Sequence, residues 1–347
     1  MPLGRRLTPR LTLLLCAALA GSTRAADAGG GGGAAQEAVK LTQQDGKVLV
    51  EVGGKPFTEY RFDKSSEEKG LPWARPYFYP VRAADGTEVT SDQARSNPKE
   101  HPHHRSLWVA QGLVNGLDHW IHAKPGATQP EQRHVKFDKV EGDTIVEELT
   151  WDGPDGKPML AERRTWRFMA LPDGGRGIDL TSVYTAVAGP VTFGDTKEAG
   201  LCAVRLVKAI SDTSTITLAN GATSVKEADK AKKDPGDEKN VWGKSADWCD
   251  LSGKIDGKGY GVAVLDHPSN PRHPSAWHVR RYGLLAANIF GLHDYDPKAN
   301  PSKTAGDLKI EPAAPVTFRY RVVVHAGDAA AAKLDQKYAD YVGSKTN

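Results

Sequence analysis

Short runs in which apolar and polar residues alternate, each ended by turn-forming residues, dominate the sequence. The run Lys47–Val52 alternates in this way, and the pair Gly53 and Gly54 that follows it is typical of a two-residue β-hairpin turn. Because side chains of a strand point alternately to its two faces, this period indicates strands with one buried face. The other runs of this kind are Thr144–Trp151, Pro158–Met169, Ile178–Tyr184, Val191–Phe193, Leu201–Val207, Thr215–Leu218, Tyr260–Leu265, Leu284–Ile289 and Val316–Val324. Their spacing predicts an all-β fold, a large antiparallel β-sandwich.

Only the C-terminal part of the sequence has a clear helical pattern. Asp328 is a suitable N-cap for a helix over Ala329–Val342, in which Leu334, Tyr338 and Tyr341 recur at helical spacing. We therefore expect one amphipathic helix that closes the chain after its last strand.

The N-terminus has the pattern of a secretory signal peptide. The basic residues Arg5, Arg6 and Arg10 precede the apolar run Leu11–Ala20, which is too short to span a bilayer and is followed by small residues. We expect residues 1–26 to be removed by cleavage near Ala25, which would place the mature protein in the periplasm or outside the cell.

The rest of the chain shows no shift of composition that would divide it. Residues 27–36 are a Gly/Ala-rich linker, and residues 37–347 are expected to form a single β-sandwich domain. No later run has the apolar length of a membrane helix, and the charged stretch Lys226–Lys239 is expected to be a solvated loop. The net charge of +3 falls close to neutral without the four signal-region arginines, which argues against a nucleic-acid partner. The sequence indicates neither a cofactor nor an oligomeric state.

Two cysteines remain after the signal region, Cys202 and Cys249. They could form a disulfide in an oxidising compartment, or they could be two buried thiols. The sequence leaves both alternatives open.

Histidines are concentrated between His101 and His122. Asn115 and Gly116 predict a tight hairpin in which Val114 faces a residue just beyond the turn. Continued alternation would then separate the side chains onto two faces: His104, Trp108 and His119 on one, and Arg105, Gln111, Asp118 and Trp120 on the other. Such a block is compatible with a metal site, a polar ligand cleft or a loop of structural histidines, because no diagnostic metal-ligand spacing is present.

A second block joins histidine, arginine and tryptophan. The proline-rich segment Asp266–Pro274 follows a strand, and in the next strand His278 and Arg280 share one face. Because both blocks have the same composition, we expect them to meet in one cleft. A third segment, Lys197–Arg205, contributes a carboxylate, Glu198, which could equally be a surface residue.

These segments together resemble the PmoA-like family of exported proteins, common in planctomycetes and of unknown function. The name borrows from a methane oxygenase subunit, although the sequence lacks the long apolar helices of a membrane oxygenase. The resemblance is carried by His101–Arg105 with Leu107 and Trp108, Val114–Gly116 with Asp118 and Trp120, Lys197 and Glu198 with Arg205, Trp248–Asp250, Asp266–Pro268 with Asn270–Arg272, Trp277–Arg280, and Tyr282–Leu284 with Asn288, Phe290 and Gly291. It implies a sandwich similar to the galactose-mutarotase supersandwich and a sugar-handling context.

Three functions fit these residues. The first is a carbohydrate-active lyase, epimerase or hydrolase with a small-molecule carbohydrate as substrate; the second is a non-catalytic carbohydrate-binding module; the third is a metal-dependent oxygenase or hydrolase that uses His103, His104 and His119 or His278. In the first, the candidate acid–base residues are His103, His104, His278, Glu198 and Asp266. The candidate substrate-binding residues are Arg105, Trp108, Asn115, Asp118, Trp120, Arg205, His267 and Arg280.

Overall fold

The computed structural model describes residues 37–123, 127–225 and 238–344. The expected signal peptide (1–26), the expected linker (27–36) and nearly all of the charged stretch 226–239 lie outside the described residues. The statements below concern the described part of the chain.

The described residues contain nineteen strands and four short α-helices. The strands are β1 (Val39–Gln44), β2 (Lys47–Val52), β3 (Lys55–Arg61), β4 (Tyr77–Phe78), β5 (Leu107–Gln111), β6 (Glu131–Glu141), β7 (Thr144–Asp152), β8 (Pro158–Ala170), β9 (Arg176–Ala186), β10 (Val191–Phe193), β11 (Ala199–Arg205), β12 (Thr215–Leu218), β13 (Thr223–Val225), β14 (Trp248–Ile255), β15 (Lys258–Asp266), β16 (Trp277–Arg280), β17 (Leu284–Ala287), β18 (Leu308–Ile310) and β19 (Val316–Ala326). The helices are α1 (Gln93–Ser96), α2 (Lys208–Asp212), α3 (Leu292–Tyr295) and α4 (Leu334–Gly343).

The strands form two large antiparallel sheets, which confirms the predicted fold class. The first sheet has the order β1-β2-β3-β4-β5-β11-β17-β16, and the second has the order β13-β12-β14-β15-β19-β9-β8-β7-β6. Strands β10 and β18 form a third, two-stranded sheet. Tight turns between neighbouring strands account for many of these pairings; Gly53 and Gly54, for example, both have the positive φ that a two-residue hairpin turn requires.

Alternation along each strand decides what lies between the sheets. In β5, Leu107 and Val109 join the main hydrophobic core, to which both sheets contribute, whereas Trp108 and Ala110 join a separate small cluster on the opposite face of the first sheet. The same division holds in β17, where Leu285 faces the core. The first sheet therefore has an outer face that is apolar in places and is covered by loops.

The C-terminal helix is present, but it begins later than predicted. Asp328 does accept a hydrogen bond, from the backbone N–H of Ala331, yet the residues that follow form turns and α4 begins only at Leu334. Lys333 has a left-handed backbone conformation, with φ of 51°, which interrupts any continuous helix from residue 329. Leu334 and Tyr341 are buried against the outer face of the second sheet.

Cys202 and Cys249 are both free and buried. They lie on strands of different sheets, β11 and β14, and burial raises the pKa of both thiols. Of the two alternatives, the structure therefore shows buried thiols. In the described part of the chain, no helix is long and apolar enough to cross a membrane.

Candidate functional site

The two histidine blocks meet on the outer face of the first sheet. Trp108 of β5 pairs with Ala203 of β11, Ala203 pairs with Ala286 of β17, and Ala286 pairs with His278 of β16. Directly paired residues of neighbouring strands point to the same face. Since neighbouring strands are about 4.8 Å apart, the three steps place Trp108 and His278 about 14 Å apart across the sheet.

Small residues in the middle of this row make room for indole rings. A Cβ atom added to Gly200 would lie 2.8 Å from the Cβ of Ala286 and 3.3 Å from the ring of Trp120. The indoles of Trp108 and Trp120 contact each other with centroids 5.3 Å apart, and both are fully buried. Small side chains thus let two tryptophans lie against the sheet and support the layer above them.

Three histidine rings lie on this support. His104 stacks on Trp108 with centroids 5.4 Å apart, and His101 stacks on His104 at 4.8 Å. His103 meets His104 edge-on at 4.6 Å. Ser106, next to this segment, and His101 itself have positive φ, so the loop bends sharply to bring the rings together.

Arg205 of β11 connects the histidine layer with an exposed tyrosine. Its guanidinium donates a hydrogen bond to Nδ1 of His104 at 3.1 Å and lies over the ring of Tyr282, 4.7 Å from the centroid. Because an arginine can only donate, Nδ1 of His104 must be unprotonated, and His104 is neutral. The Tyr282 ring also stacks on His101 at 5.0 Å, and the residue is 36% exposed, so part of this side chain remains open to solvent.

Glu198 lies at the centre of the electrostatic interactions of this site. It is half-buried directly before β11, forms an ion pair with Lys197, and interacts electrostatically with His101, His103 and His278. Although burial alone would raise its pKa, the hydrogen bond and the charge of Lys197 hold that pKa below its usual value. Glu198 is therefore ionised near neutral pH.

The histidines beside Glu198 are neutral near neutral pH. Burial lowers the pKa of His103 to about 3 and that of His278 to about 4, even though Glu198 acts in the opposite direction on both. Nδ1 of His278 is buried and has no hydrogen-bond partner among the described residues. The site thus combines a carboxylate with a neutral imidazole that has an unused ring nitrogen.

Arg280 completes the far side of the site. It shares the outer face with His278, as predicted from alternation, while Trp277 and Val279 face the main core. Its guanidinium pairs with Glu238 at 3.0 Å and lies over the ring of Trp242.

Burial changes the role expected of the two tryptophans. Trp108 and Trp120 belong to the site, but their rings are covered and cannot stack on a ligand. The sequence-based expectation that they contact a sugar needs correction, because they support the histidine layer from beneath. Tyr282 and His101 are the aromatic rings of this layer that are exposed.

The predicted division of faces in the first block is wrong beyond the hairpin turn. Val114 and Leu117 do pair across Asn115 and Gly116, both of which have positive φ. The side chain of Asp118 then accepts hydrogen bonds from the backbone N–H groups of two residues beyond it, at 2.8 and 2.9 Å, and turns the chain. Trp120 consequently joins Trp108, whereas His119 packs against Trp151 in the sandwich interior, with centroids 5.2 Å apart.

Arg105 lies in a structural ion-pair network and not in the site. Its guanidinium donates to Asp92 at 2.7 Å, to Glu67 at 2.6 Å and to the carbonyl of Pro72 at 2.6 Å, and it lies over the ring of Tyr77. All of its charge is matched within the network, so the structure gives it no free donor for a substrate.

Two other expected ligand-binding residues serve turns. The side chain of Asn115 braces its hairpin against the backbone of Pro190 and Thr192, and Asp118 caps the turn described above. Asp118 still lies close enough to act on the charge of Arg75, at the edge of the site.

Asp266 and His267 do not join the two histidine blocks. The carboxylate of Asp266 is fully buried and accepts hydrogen bonds from Asn270, His273 and the backbone of Ser275. His267 bonds Ser269 and packs against Tyr341 of the C-terminal helix. Both residues brace the proline-rich loop on the second sheet.

A metal site receives no geometric support. Across residues 37–123, 127–225 and 238–344, no group of three or more His, Cys, Asp and Glu side chains is arranged to hold a metal ion. The rings of His101 and His104 are stacked face to face, and His119 lies in the interior, so the ligand set expected for the metal-dependent alternative does not converge.

Sequence reasoning missed Arg75 and Tyr282 as members of the site. Arg75 is buried and donates to the carbonyls of His103 and Trp120, which holds both loops in place. Its segment carries arginine, tryptophan, tyrosine and prolines, which could have indicated a rigid loop next to a site. Tyr282 follows the second block directly, where its exposure could not be read from the sequence.

Together, these features define an antiparallel β-sandwich protein with a histidine-rich site on the outer face of one sheet. The chain belongs to a family of unknown function (DUF6807), which it matches over residues 47–339. No curated protein matches the sequence.

Solved structures give weak likenesses. A galactose mutarotase-like protein from Lactobacillus casei is 10% identical, with a TM-score of 0.35, and the match covers 83% of this chain and 100% of that one. A GalM/aldose epimerase homologue from C. elegans is 9% identical, with a TM-score of 0.30 and coverage of 85% and 99%. Galactose 1-epimerase from Lactobacillus acidophilus is 10% identical, with a TM-score of 0.30 and coverage of 84% and 99%. At these TM-scores the likenesses say nothing about the activity of this chain.

Proposed function

We propose that the outer-face site binds a small-molecule carbohydrate and moves a proton on it, with Glu198 as the base and His278 as its neutral partner. The observation that carries this proposal is that the Glu198 carboxylate and the buried His278 ring, whose Nδ1 has no hydrogen-bond partner among the described residues, lie on one side of the sheet within electrostatic reach of each other. A carboxylate can accept a proton near neutral pH, and a neutral imidazole can donate a hydrogen bond to an oxygen on which negative charge develops.

The layer above the sheet has the composition that sugars require. The part of Tyr282 that stays exposed beside Arg205 and His101 offers apolar surface to the C–H groups of a pyranose, while Glu198 and Arg280, which both act on Tyr282 through space, supply groups that bind hydroxyls. His104 is a positioning residue in this proposal and not an acid or base. The hydrogen bond from Arg205 fixes His104 in one neutral tautomer, and His104 in turn holds the guanidinium of Arg205 in place. His103, half-buried beside Glu198, contacts the ligand.

Export is part of the proposal. The signal-like N-terminus supports a periplasmic or secreted location, where such a protein would meet sugars from outside the cell. We also propose that the chain is related to the PmoA-like proteins of planctomycetes, on the basis of the motifs quoted above.

The test is a search for turnover with matched variants. The full chain is incubated with free sugars and glycosides, and proton exchange, epimerisation or cleavage is followed by NMR. Glu198→Gln and His278→Gln each should lower turnover by roughly a hundredfold or more, since each removes a proton-transfer group. Glu148→Gln, an exposed glutamate of β7, and His267→Gln, a histidine outside the site, are the controls and should keep full turnover.

Three outcomes separate the alternatives. Loss of turnover in both site variants with intact folding supports the proposal. Sugar binding without turnover in the unaltered protein would assign a non-catalytic binding module instead. Unchanged turnover in both site variants would remove Glu198 and His278 from the mechanism.

A further inference from the structure

Six arginines are almost completely buried in the described part of the chain, and they fall into two groups. The six are Arg75, Arg105, Arg164, Arg176, Arg205 and Arg321. Four of them form an ion pair with a carboxylate: Arg105 with Asp92 and Glu67, Arg164 with Glu162, Arg176 with Glu37, and Arg321 with Asp179. Arg75 and Arg205 form no ion pair with a described carboxylate, and both border the histidine site.

Arg205 is the clearer case. It is 6% exposed, and its hydrogen bond to His104 and its contact with the Tyr282 ring leave Nε buried without a partner. Neither a neutral imidazole nor a phenol ring compensates the charge of a guanidinium. A buried cation without a counter-ion is strongly unfavourable, so a position of this kind is expected to meet an anion during function.

Arg75 adds a second positive charge on the same side. It is 2% exposed, it donates only to two backbone carbonyls, and its Nε also lacks a partner. The exposed carboxylate of Asp118 interacts with Arg75 through space, but it already accepts a hydrogen bond from the backbone N–H of Trp120 in the turn.

The other charged groups of the site do not neutralise Arg205. Glu198 pairs with Lys197, and Glu238 pairs with Arg280. Glu100 acts on Arg205 through space, but it is exposed and accepts a hydrogen bond from Asn97. The buried part of the site therefore carries an excess of positive charge.

We propose that the sugar taken by this site carries a negatively charged group, a carboxylate as in a uronic acid or a sulfate ester, and that Arg205 binds that group. This inference rests on the proposed function, because it specifies the substrate of the same site. A guanidinium presents several N–H donors in one plane, which matches the paired oxygens of a carboxylate or sulfate. Arg205 lies against the ring of the partly exposed Tyr282, so the charged group would enter beside that side chain.

Direct binding measurements test the proposal. The full chain is titrated calorimetrically with glucuronate, glucose, glucose 6-sulfate and acetate, as sodium salts where charged. The unaltered protein should bind glucuronate or glucose 6-sulfate at least about tenfold more tightly than glucose, since a charge-assisted pair is worth more than about 1.4 kcal/mol. The preference should weaken as salt is added.

Variants assign the preference to one residue. Arg205→Gln should lower the ratio of glucuronate affinity to glucose affinity from at least about tenfold to about one. Arg205→Lys keeps the charge but not the planar fork, and should keep part of the preference; it replaces the glutamine variant if that variant fails to fold. Arg163→Gln, an exposed arginine of β8, is the control and should bind as the unaltered protein does.

The outcomes distinguish this inference from the proposed function. Equal binding of glucose and glucuronate, unaffected by Arg205→Gln, would overturn the anionic-sugar inference and leave a sugar site. Acetate binding as tightly as glucuronate, with no binding of glucose, would leave an anion site and overturn the sugar function. Loss of the preference in Arg163→Gln to the same extent as in Arg205→Gln would show that the preference does not arise from Arg205 and would overturn the inference. No binding of any of the four compounds would count against both.

Discussion

Replacing Arg105 by methionine should destabilise the protein without acting on ligand contacts. The change removes the cation that both Asp92 and Glu67 face, and the side chains of these acids are 0% and 3% exposed. Removing one partner of a buried ion pair costs roughly 3–5 kcal/mol. Arg95 still contacts both acids, at 2.9 and 3.0 Å, so the lower end of that range, about 3 kcal/mol, is expected.

The measurement is urea unfolding followed by circular dichroism, together with the melting temperature. A loss of about 3 kcal/mol corresponds to a fall in Tm of roughly 4–5 °C for a chain of this size, because an unfolding entropy of about 2.1 cal/mol/K per residue sums to about 0.7 kcal/mol/K. The control is Arg163→Met, which breaks an exposed ion pair with Asp138 and should cost no more than about 1 kcal/mol. If Arg105→Met unfolded within about 1 kcal/mol of the unaltered protein and yet lost sugar binding, Arg105 would be a binding residue and the structural interpretation would be wrong.

Two further predictions concern packing and pH. Gly200→Ala adds a Cβ atom 2.8 Å from that of Ala286, so it should lower the free energy of unfolding in urea by about 1–3 kcal/mol and shift the tryptophan fluorescence through Trp120. The control is Gly343→Ala, whose added Cβ has no atom within 4 Å. Equal stability of the two variants would contradict the packing described here. Burial lowers the pKa of His278 to about 4 from 6.5, so between these pH values the unfolded chain binds a proton that the folded chain does not. The free energy of unfolding should therefore fall as pH falls from 6.5 to 4, and His278 should account for about 3 kcal/mol of that fall. Urea unfolding across that range should show a shallower decline in His278→Gln, and identical declines would show that His278 is not held neutral by the fold.

Strands with regular alternation were predictable, and those without it were not. β10 and β12 have the bounds that the sequence predicted, because each alternates cleanly between turns. β6 (Glu131–Glu141) was missed, since its residues are mostly polar and two register shifts break its pairing with β7. A strand of this kind forms because its neighbour offers backbone hydrogen bonds, which a local pattern does not record.

The site was predictable in its residue types but not in its contacts. Both histidine blocks were recognised, since in each of them an excess of histidine, arginine and tryptophan is visible within a short stretch of sequence. The different roles of Arg105, which is ion-paired, and Arg205, which is not, could not be recognised in this way. The partners of Arg105 include Glu67, which is 38 residues away along the chain. Which guanidinium meets a carboxylate is decided by tertiary structure, and this decides in turn which arginine is free for a ligand.

A bulge in β11 explains how Glu198 and Arg205 come to serve one site. Strict alternation would place residues 198 and 205 on opposite faces, because they are separated by an odd number of positions. The pairing of β11 with β5 shifts between Gly200 and Ala203, and Leu201 and Cys202 both face the main core. The extra residue resets the alternation, so Ala203 and Arg205 lie on the same outer face as Gly200. Bulges are common beside functional sites because they redirect a side chain without breaking the sheet, and here the bulge places Arg205 on the outer face, where its guanidinium meets His104 and Tyr282.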